Sequence, residues 1–270
     1  MASLGFALIY QTSRIFHIAY AALFTLAGYA FFYFFQVSGL GFFASVSLSV
    51  ILISLLSLAC EVLVYQPIAR RGTGSHSLMV ASIGLLIILE NLAVMLFGNS
   101  PRLTDKVELI SVNLSPLPAN RVFLLILNLG ILLILLLVLK TTRFGIITRS
   151  IRDHIILGRV MGINDRRQRI YLFLISGALI AFTGSFQAMD VGINPNVGLP
   201  VFINAFIAMI IGGNGRFEGP VLGGFSLGII QSLTEYFTQS QWVILVTFIV
   251  LFGFLVFKPE GLLPERRREL

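Results

Sequence analysis

Charge is what this 270-residue sequence has least of: Asp, Glu, Lys and Arg make up 11% of it, against 57% hydrophobic residues. A soluble domain of that size could not keep so much apolar surface out of water, because its surface-to-volume ratio imposes a large polar exterior. The composition therefore points to a polytopic helical membrane protein. There is one cysteine, Cys60, inside an apolar segment, which excludes a disulfide framework and a thiolate metal cluster. No G-x-x-x-x-G-K-[ST] occurs, since Lys106, Lys140 and Lys258 follow Asp105, Leu139 and Phe257. Nor is there a Ser/His/Asp, paired-carboxylate or metal-ligand spacing. An enzyme reading has nothing to stand on, and no cofactor or metal is expected on this chain. The opening residues lack a basic n-region and a cleavage site, so no signal peptide is expected.

What is present is a series of apolar runs, several near the roughly 20 residues that cross a hydrocarbon core. Residues 4–10 form a first segment too short to span, either a half-helix or a helix that needs residues upstream. Full spans are expected over 15–35, from 41 to about 65, and over 78–97, 122–139 and 170–188. Two shorter segments, 201–211 and 221–236, are joined by the polar run GGNGRFEGP, and a last span covers 242–257. The expectation is one all-α transmembrane domain, a polytopic helical bundle, over 1–270. It has about 7–8 membrane segments, a short or broken first one, and a Gly-rich broken pair near 201–236.

The 24 Phe include the cluster at 31–35, suited to a membrane–water interface. The pI near 10 would fit a nucleic-acid partner, but the basic residues lie between apolar spans. Strict alternation of the spans puts 16 of the 19 basic residues on one side and leaves Arg102, Lys106 and Arg121 on the other. Basic loops beside spans obey the positive-inside rule, so nucleic acid is excluded and the richer side, with the C-terminus, is expected in the cytoplasm.

Eight basic residues against Asp153 and Asp165 fall in 140–169, a surplus of six. Within it, 150–161 can form an amphipathic helix, with Gly162 and Asn164 as a stop. Such a stretch is either a solvated loop touching anionic lipid or a helix docking on another subunit. Gly215, Gly219 and Gly223 recur every four residues, as do Gly224 and Gly228, a spacing that lets helix backbones approach closely. Gly177, Ala181 and Ser185 offer a second such face. Inside the membrane, Glu90 beside Asn91 is the exceptional carboxylate, a candidate for a translocation path together with His17 and Asn204. Glu61, near the end of its span, can pair with a loop arginine.

The segment RSIRDHIILGRVMGIND, followed by a span and then GGNGRFEGPVLGGFSLGII, resembles the permeases of the branched-chain amino acid ABC transporter family, which includes relatives for urea and short amides. Arg149, Asp153, Arg159, Gly162, Ile163 and Asn164 fall on the pattern R-x-x-x-D-x-x-x-x-A-R-x-x-G-I-N of its cytoplasmic loop. The glycines from Gly212 to Gly224 match its penultimate spans, and F-K-P-E-G-L-L resembles its closing F-R-P-x-G-L. ALIYQTSRIFHIAYAALFTLAGY resembles its first loop and second helix. The chain departs at Ile156, Leu157 and Gly158, where the family usually has Glu-Ala-Ala. It departs again at residues 17–21, where the family has Asn-Phe-Ala-His-Gly.

The resemblance implies an ABC importer permease in a bacterial inner membrane, moving branched-chain or related amino acids, with urea or short amides as the alternative. It implies an ATPase-coupling loop with Arg149, Arg152, Asp153, Arg159, Gly162 and Asn164. The partners implied are a second permease chain (identical or not), cytoplasmic ATP-binding subunits that use the ATP, and a periplasmic or extracellular substrate-binding protein. A self-contained secondary transporter or channel, and a non-transporting assembly subunit, are the rivals.

Overall fold

The structure is a computed structural model that describes residues 1–71, 74–104, 119–153, 162–213 and 215–263; for 119–121 and 153 it describes the backbone alone. Eleven helices follow in chain order among the described residues: α1 (Ala2–Ser13), α2 (Tyr20–Phe32), α3 (Phe42–Ala59), α4 (Gln66–Arg70), α5 (Ser75–Phe97), α6 (Ala119–Thr141), α7 (Arg143–Asp153), α8 (Asp165–Asp190), α9 (Gly198–Gly212), α10 (Gly219–Phe237) and α11 (Trp242–Phe257). No strand occurs among them beyond a single bridge between Arg102 and Ile193. Five helical runs are long and apolar enough to cross a membrane: Tyr20–Val37, Phe42–Arg70, Ser75–Phe97, Val122–Thr141 and Asp165–Asp190. The 15-residue α9, the 19-residue α10 and the 16-residue α11 complete the set, with the expected break between α9 and α10. The chain is a polytopic helical bundle.

Burial sorts the helices. α1 is a 12-residue helix, and at about 1.5 Å per residue these residues rise roughly 18 Å. Nine of its residues are buried, and it sits inside the bundle against α8 and α9. α2 and α8 are the other central helices. α5 is peripheral: Leu78, Ser82, Leu86, Leu89 and Ala93, spaced four, four, three and four, form its one buried face. The opposite face shows Val80, Ile87, Ile88 and Met95. A helix apolar all round with only one face packed fits a membrane span at the edge of a bundle.

Small residues set the closest approaches. A Cβ on Gly177 would stand 2.7 Å from Ser57 Cβ and 2.9 Å from Ser54 Cα, so α8 crosses α3 at backbone distance, and Ser57 Oγ donates to the Phe173 carbonyl there at 2.8 Å. A Cβ on Gly184 would stand 2.5 Å from the Phe24 carbonyl oxygen of α2. The close face expected at Gly177, Ala181 and Ser185 is there, all three being buried.

Two of the spans end in π-helical turns. α2 continues through Tyr33–Val37, and α3 through Cys60–Tyr65 into α4. The second has a cause in the sequence. Pro67 has no N–H and its ring crowds the carbonyl four residues back, so the turn before it widens. The helix consequently passes the proline and reaches Arg70, where the sequence had suggested a span ending near Tyr65. The wider turn brings Cys60, Glu61 and Tyr65 all to the inside.

Candidate functional site

The basic stretch starts at the end of α6. Thr142 leaves that helix and accepts the Gly145 N–H on its Oγ1 at 3.4 Å, opening α7. A side chain at Gly145 would collide with the Leu139 carbonyl, so this glycine lets α7 fold back over the end of α6. Arg149 then reaches the carbonyls of Leu139 (Nη1, 2.7 Å) and Lys140 (Nη2, 3.4 Å), two of the acceptors that a helix end leaves without partners. On the other flank, Gln168 of α8 donates to Thr148 Oγ1 and to the Phe144 carbonyl. α7 is wedged between the end of α6 and the start of α8.

Arg152 lies with its guanidinium carbon 5.2 Å from the centre of the Phe217 ring, in the break between α9 and α10. Glu218 sits beside it, 3.4 Å from Lys140 Nζ and 3.6 Å from Arg216 Nε. Burial alone would push the Glu218 carboxyl up, but a backbone N–H, Lys140 and Arg216 outweigh it and hold it below the ordinary carboxylate value. The stretch 140–169 thus meets the glycine-rich break directly.

The described residues bear on the expected coupling helix only in part. It begins at Arg143, not Ser150. Arg159 and the departure at Ile156, Leu157 and Gly158 lie outside the described residues, as does the side chain of Asp153. Gly162 has φ +80°, a backbone conformation that glycine adopts readily, and the end of the helix expected before it lies outside the described residues. Asn164 caps the next helix: its side chain accepts the Arg167 N–H at 3.1 Å and so starts α8.

The break between α9 and α10 is closed by glycine and by the closing motif. A Cβ on Gly219 would meet the Gly213 carbonyl oxygen at 2.6 Å, and one on Gly212 or Gly223 would collide with the backbone of Gly219 or Ala208. Gly213 itself has φ +93°. The F-K-P-E-G-L-L strap then lies across the end of α9, where Leu262 N–H donates to the Ile211 carbonyl at 2.8 Å and Leu263 N–H to the Gly212 carbonyl at 3.0 Å. A Cβ on Gly224 would stand 3.3 Å from Ser3 Oγ of α1, but one on Gly228 would have nothing within 4 Å. Within this chain Gly228 lines an open groove and packs on no other helix, and Gly215 lies in the turn before Gly219.

The four path candidates separate. His17 is fully buried, with Nδ1 2.7 Å from the Tyr65 hydroxyl; that hydroxyl donates to Ser82 Oγ at 3.0 Å, and Ser82 accepts the Ala19 N–H at 3.0 Å. This network ties the turn before α2 to α3 and α5. Asn204 accepts from Gln231 Nε2 at 3.2 Å, and the same amide donates to Thr247 Oγ1 at 3.0 Å, which ties α9, α10 and α11 together. Such side-chain bonds hold membrane helices to one another. Glu90 sits at the edge of the buried face of α5, half-buried, whereas Asn91 points outward and donates to the Ile87 carbonyl at 2.7 Å. The structure does not bring the four to one place.

Glu61 carries the buried charge. It is fully buried, and Arg169 Nε lies 3.1 Å from its Oε1, the pairing with a loop arginine that the sequence suggested. Tyr65, Ser82, Gln231 and Thr247 escaped sequence reading because polar residues scattered through apolar runs carry no spacing signal. Lys140 and Glu218 escaped it because they are 78 positions apart.

The sequence pattern of the family described as branched-chain amino acid transport system, permease component, matches residues 1–255. The high-affinity branched-chain amino acid transport system permease protein BraD of Pseudomonas aeruginosa is 28% identical over 229 residues, 82% of this chain and 74% of that protein. LivH of Escherichia coli K12, named in the same way, is 24% identical over 226 residues, 80% of this chain and 72% of its own. The autoinducer 2 import system permease protein LsrC of Yersinia pseudotuberculosis is 30% identical over 127 residues, 44% of this chain and 36% of its own. No solved structure matches.

Proposed function

The chain belongs to the family of branched-chain amino acid transport permeases, and on that premise we propose that it is the membrane-spanning subunit of an ABC importer that carries branched-chain or related amino acids across a bacterial inner membrane. Its C-terminus and the stretch 140–169 face the cytoplasm, a reading supported by the 16-to-3 distribution of basic residues. ATP is bound and hydrolysed on separate cytoplasmic chains, and this chain holds no cofactor. A second permease chain, identical or not, completes the pathway, and a substrate-binding protein delivers cargo from the other side.

The observation that carries this reading is the wedge at α7. A push on α7 reaches α6 through Arg149, α8 through Thr148 and Gln168, and the α9–α10 break through Arg152 and Phe217. Because α8 packs on α1, α2 and α3, movement at its first turn is passed to the centre of the bundle. Two such permeases rocking against each other give alternating access. A self-contained secondary transporter would need an intramembrane coupling group. Glu61 is tied to Arg169, and Glu90 stands at the edge of a peripheral helix. For cargo, relatives named for branched-chain amino acids favour these over urea or short amides.

The test is the intact transporter carrying Arg152→Gln, Asp153→Asn and Arg159→Gln together. Leucine uptake and substrate-stimulated ATP hydrolysis should fall at least tenfold, while leucine still binds the isolated receptor. Unchanged uptake overturns the coupling role; uptake of urea in place of leucine overturns the cargo.

A further inference from the structure

At the C-terminal end of α6 the structure leaves a cavity of about 220 Å³ between α6, α7 and the α9–α10 break. That is several times the roughly 30 Å³ share of one water molecule, so it admits a hydrated phosphodiester group. Its polar wall is Lys140, Arg149, Arg152, Arg216 and Glu218. Among the described residues that wall holds four cations and one carboxylate. Glu218 does not cancel the site; it holds Lys140 and Arg216 on either side of one carboxylate, while the helix-end carbonyls fix Arg149 and the Phe217 ring lies under Arg152. These are long, flexible side chains gathered from three segments and fixed at the rim of one cavity.

We propose that this cavity binds the phosphate headgroup of an anionic phospholipid in the leaflet on the positive side. Depth and lining favour a lipid over a soluble anion. The uncharged run 122–139 rises about 27 Å, close to the thickness of the hydrocarbon core, so Lys140 stands at the headgroup level. The remaining wall is Leu136, Leu139 and Phe217. On the same helix Leu133 and Leu137 lie more than half exposed, so acyl chains reach the cavity along an apolar surface. Basic pockets between membrane helices at this depth suit acidic headgroups. The inference rests on the chain crossing a bilayer, not on its transporting anything, so an uptake assay and a lipid assay fail independently.

The experiment uses the full-length chain in nanodiscs of phosphatidylcholine with one-fifth phosphatidylglycerol, followed by stepwise delipidation and native mass spectrometry of the lipid retained. Wild type should keep phosphatidylglycerol over phosphatidylcholine. Arg216→Gln, at a half-exposed position that folding tolerates, should weaken that retention about fivefold, and Arg152→Gln with Arg216→Gln at least tenfold. The paired Lys replacements keep the charge and should stay within about twofold of wild type. Arg70→Gln with Arg71→Gln, on the same side but outside the cavity, should change nothing. Equal retention of the two lipids, or an equal loss in the Arg70/Arg71 control, overturns the proposal. Inorganic phosphate protecting the detergent-solubilised protein from heat as well as phosphatidylglycerol vesicles do would assign the cavity to a free anion and overturn it too.

Discussion

The residue that most constrains its surroundings is Glu61. A carboxylate with no exposure survives in an apolar bundle only with a counter-charge at hand, and Arg169, itself largely covered, supplies it at 3.1 Å. Removing one partner leaves the other charge buried and alone. Arg169→Met is therefore expected to cost about 3–5 kcal/mol, and Glu61→Gln less, since Arg169 keeps some access to solvent. Replacing both with Gln and Met should restore most of the loss. Thermal unfolding of the four proteins in one detergent measures this, and additive losses would show that the two side chains act separately. Glu61 was legible as a residue wanting a loop arginine. The turn that delivers it was not, because a π-helical turn leaves no periodicity, and its only trace in the sequence is Pro67.

At the scale of elements, glycine positions with the same spacing do different work. Gly223 faces the backbone of Ala208, whereas Gly228 faces open space one turn further along α10. Gly223→Ala forces α9 and α10 apart and should cost at least about 1–3 kcal/mol. Gly228→Ala adds a better helix former where nothing opposes it, for a gain of up to about 1 kcal/mol. A melting temperature that falls for the first and holds or rises for the second is the expected pair of results; equal falls would mean that α10 packs elsewhere. Spacing reveals a stripe of small residues but not which member meets a neighbour. The spans themselves were legible to within a few residues, since 242–257 and 78–97 coincide with or lie within α11 and α5. The start of α7 was not, because Thr142 and Gly145 make sense only against the end of α6 lying beneath them.

For the whole molecule, alternation of charge foretold which loops share a side, and the structure ties loops together in the same way. Arg102 and Ile193 exchange backbone bonds at one end, while Lys140 meets Glu218 and the strap meets α9 at the other. Single cysteines introduced with Cys60→Ala test this on intact cells. Ser38→Cys and Ser240→Cys should react with a membrane-impermeant maleimide, and Ser75→Cys and Thr141→Cys only after permeabilisation. Labelling of Thr141→Cys without permeabilisation would invert the orientation. The roles of the polar groups inside the bundle were much less legible: His17 and Asn204 serve separate joints, whereas Glu90 and Asn91 stand at the rim of α5.

The strap of residues 258–263 carries a consequence in time. During synthesis every other described helix has left the ribosome before Leu262 and Leu263 emerge. The carbonyls of Ile211 and Gly212 receive the Leu262 and Leu263 N–H groups only then. These two bonds across the end of α9 are therefore among the last to form, after α1 to α11 have all been made.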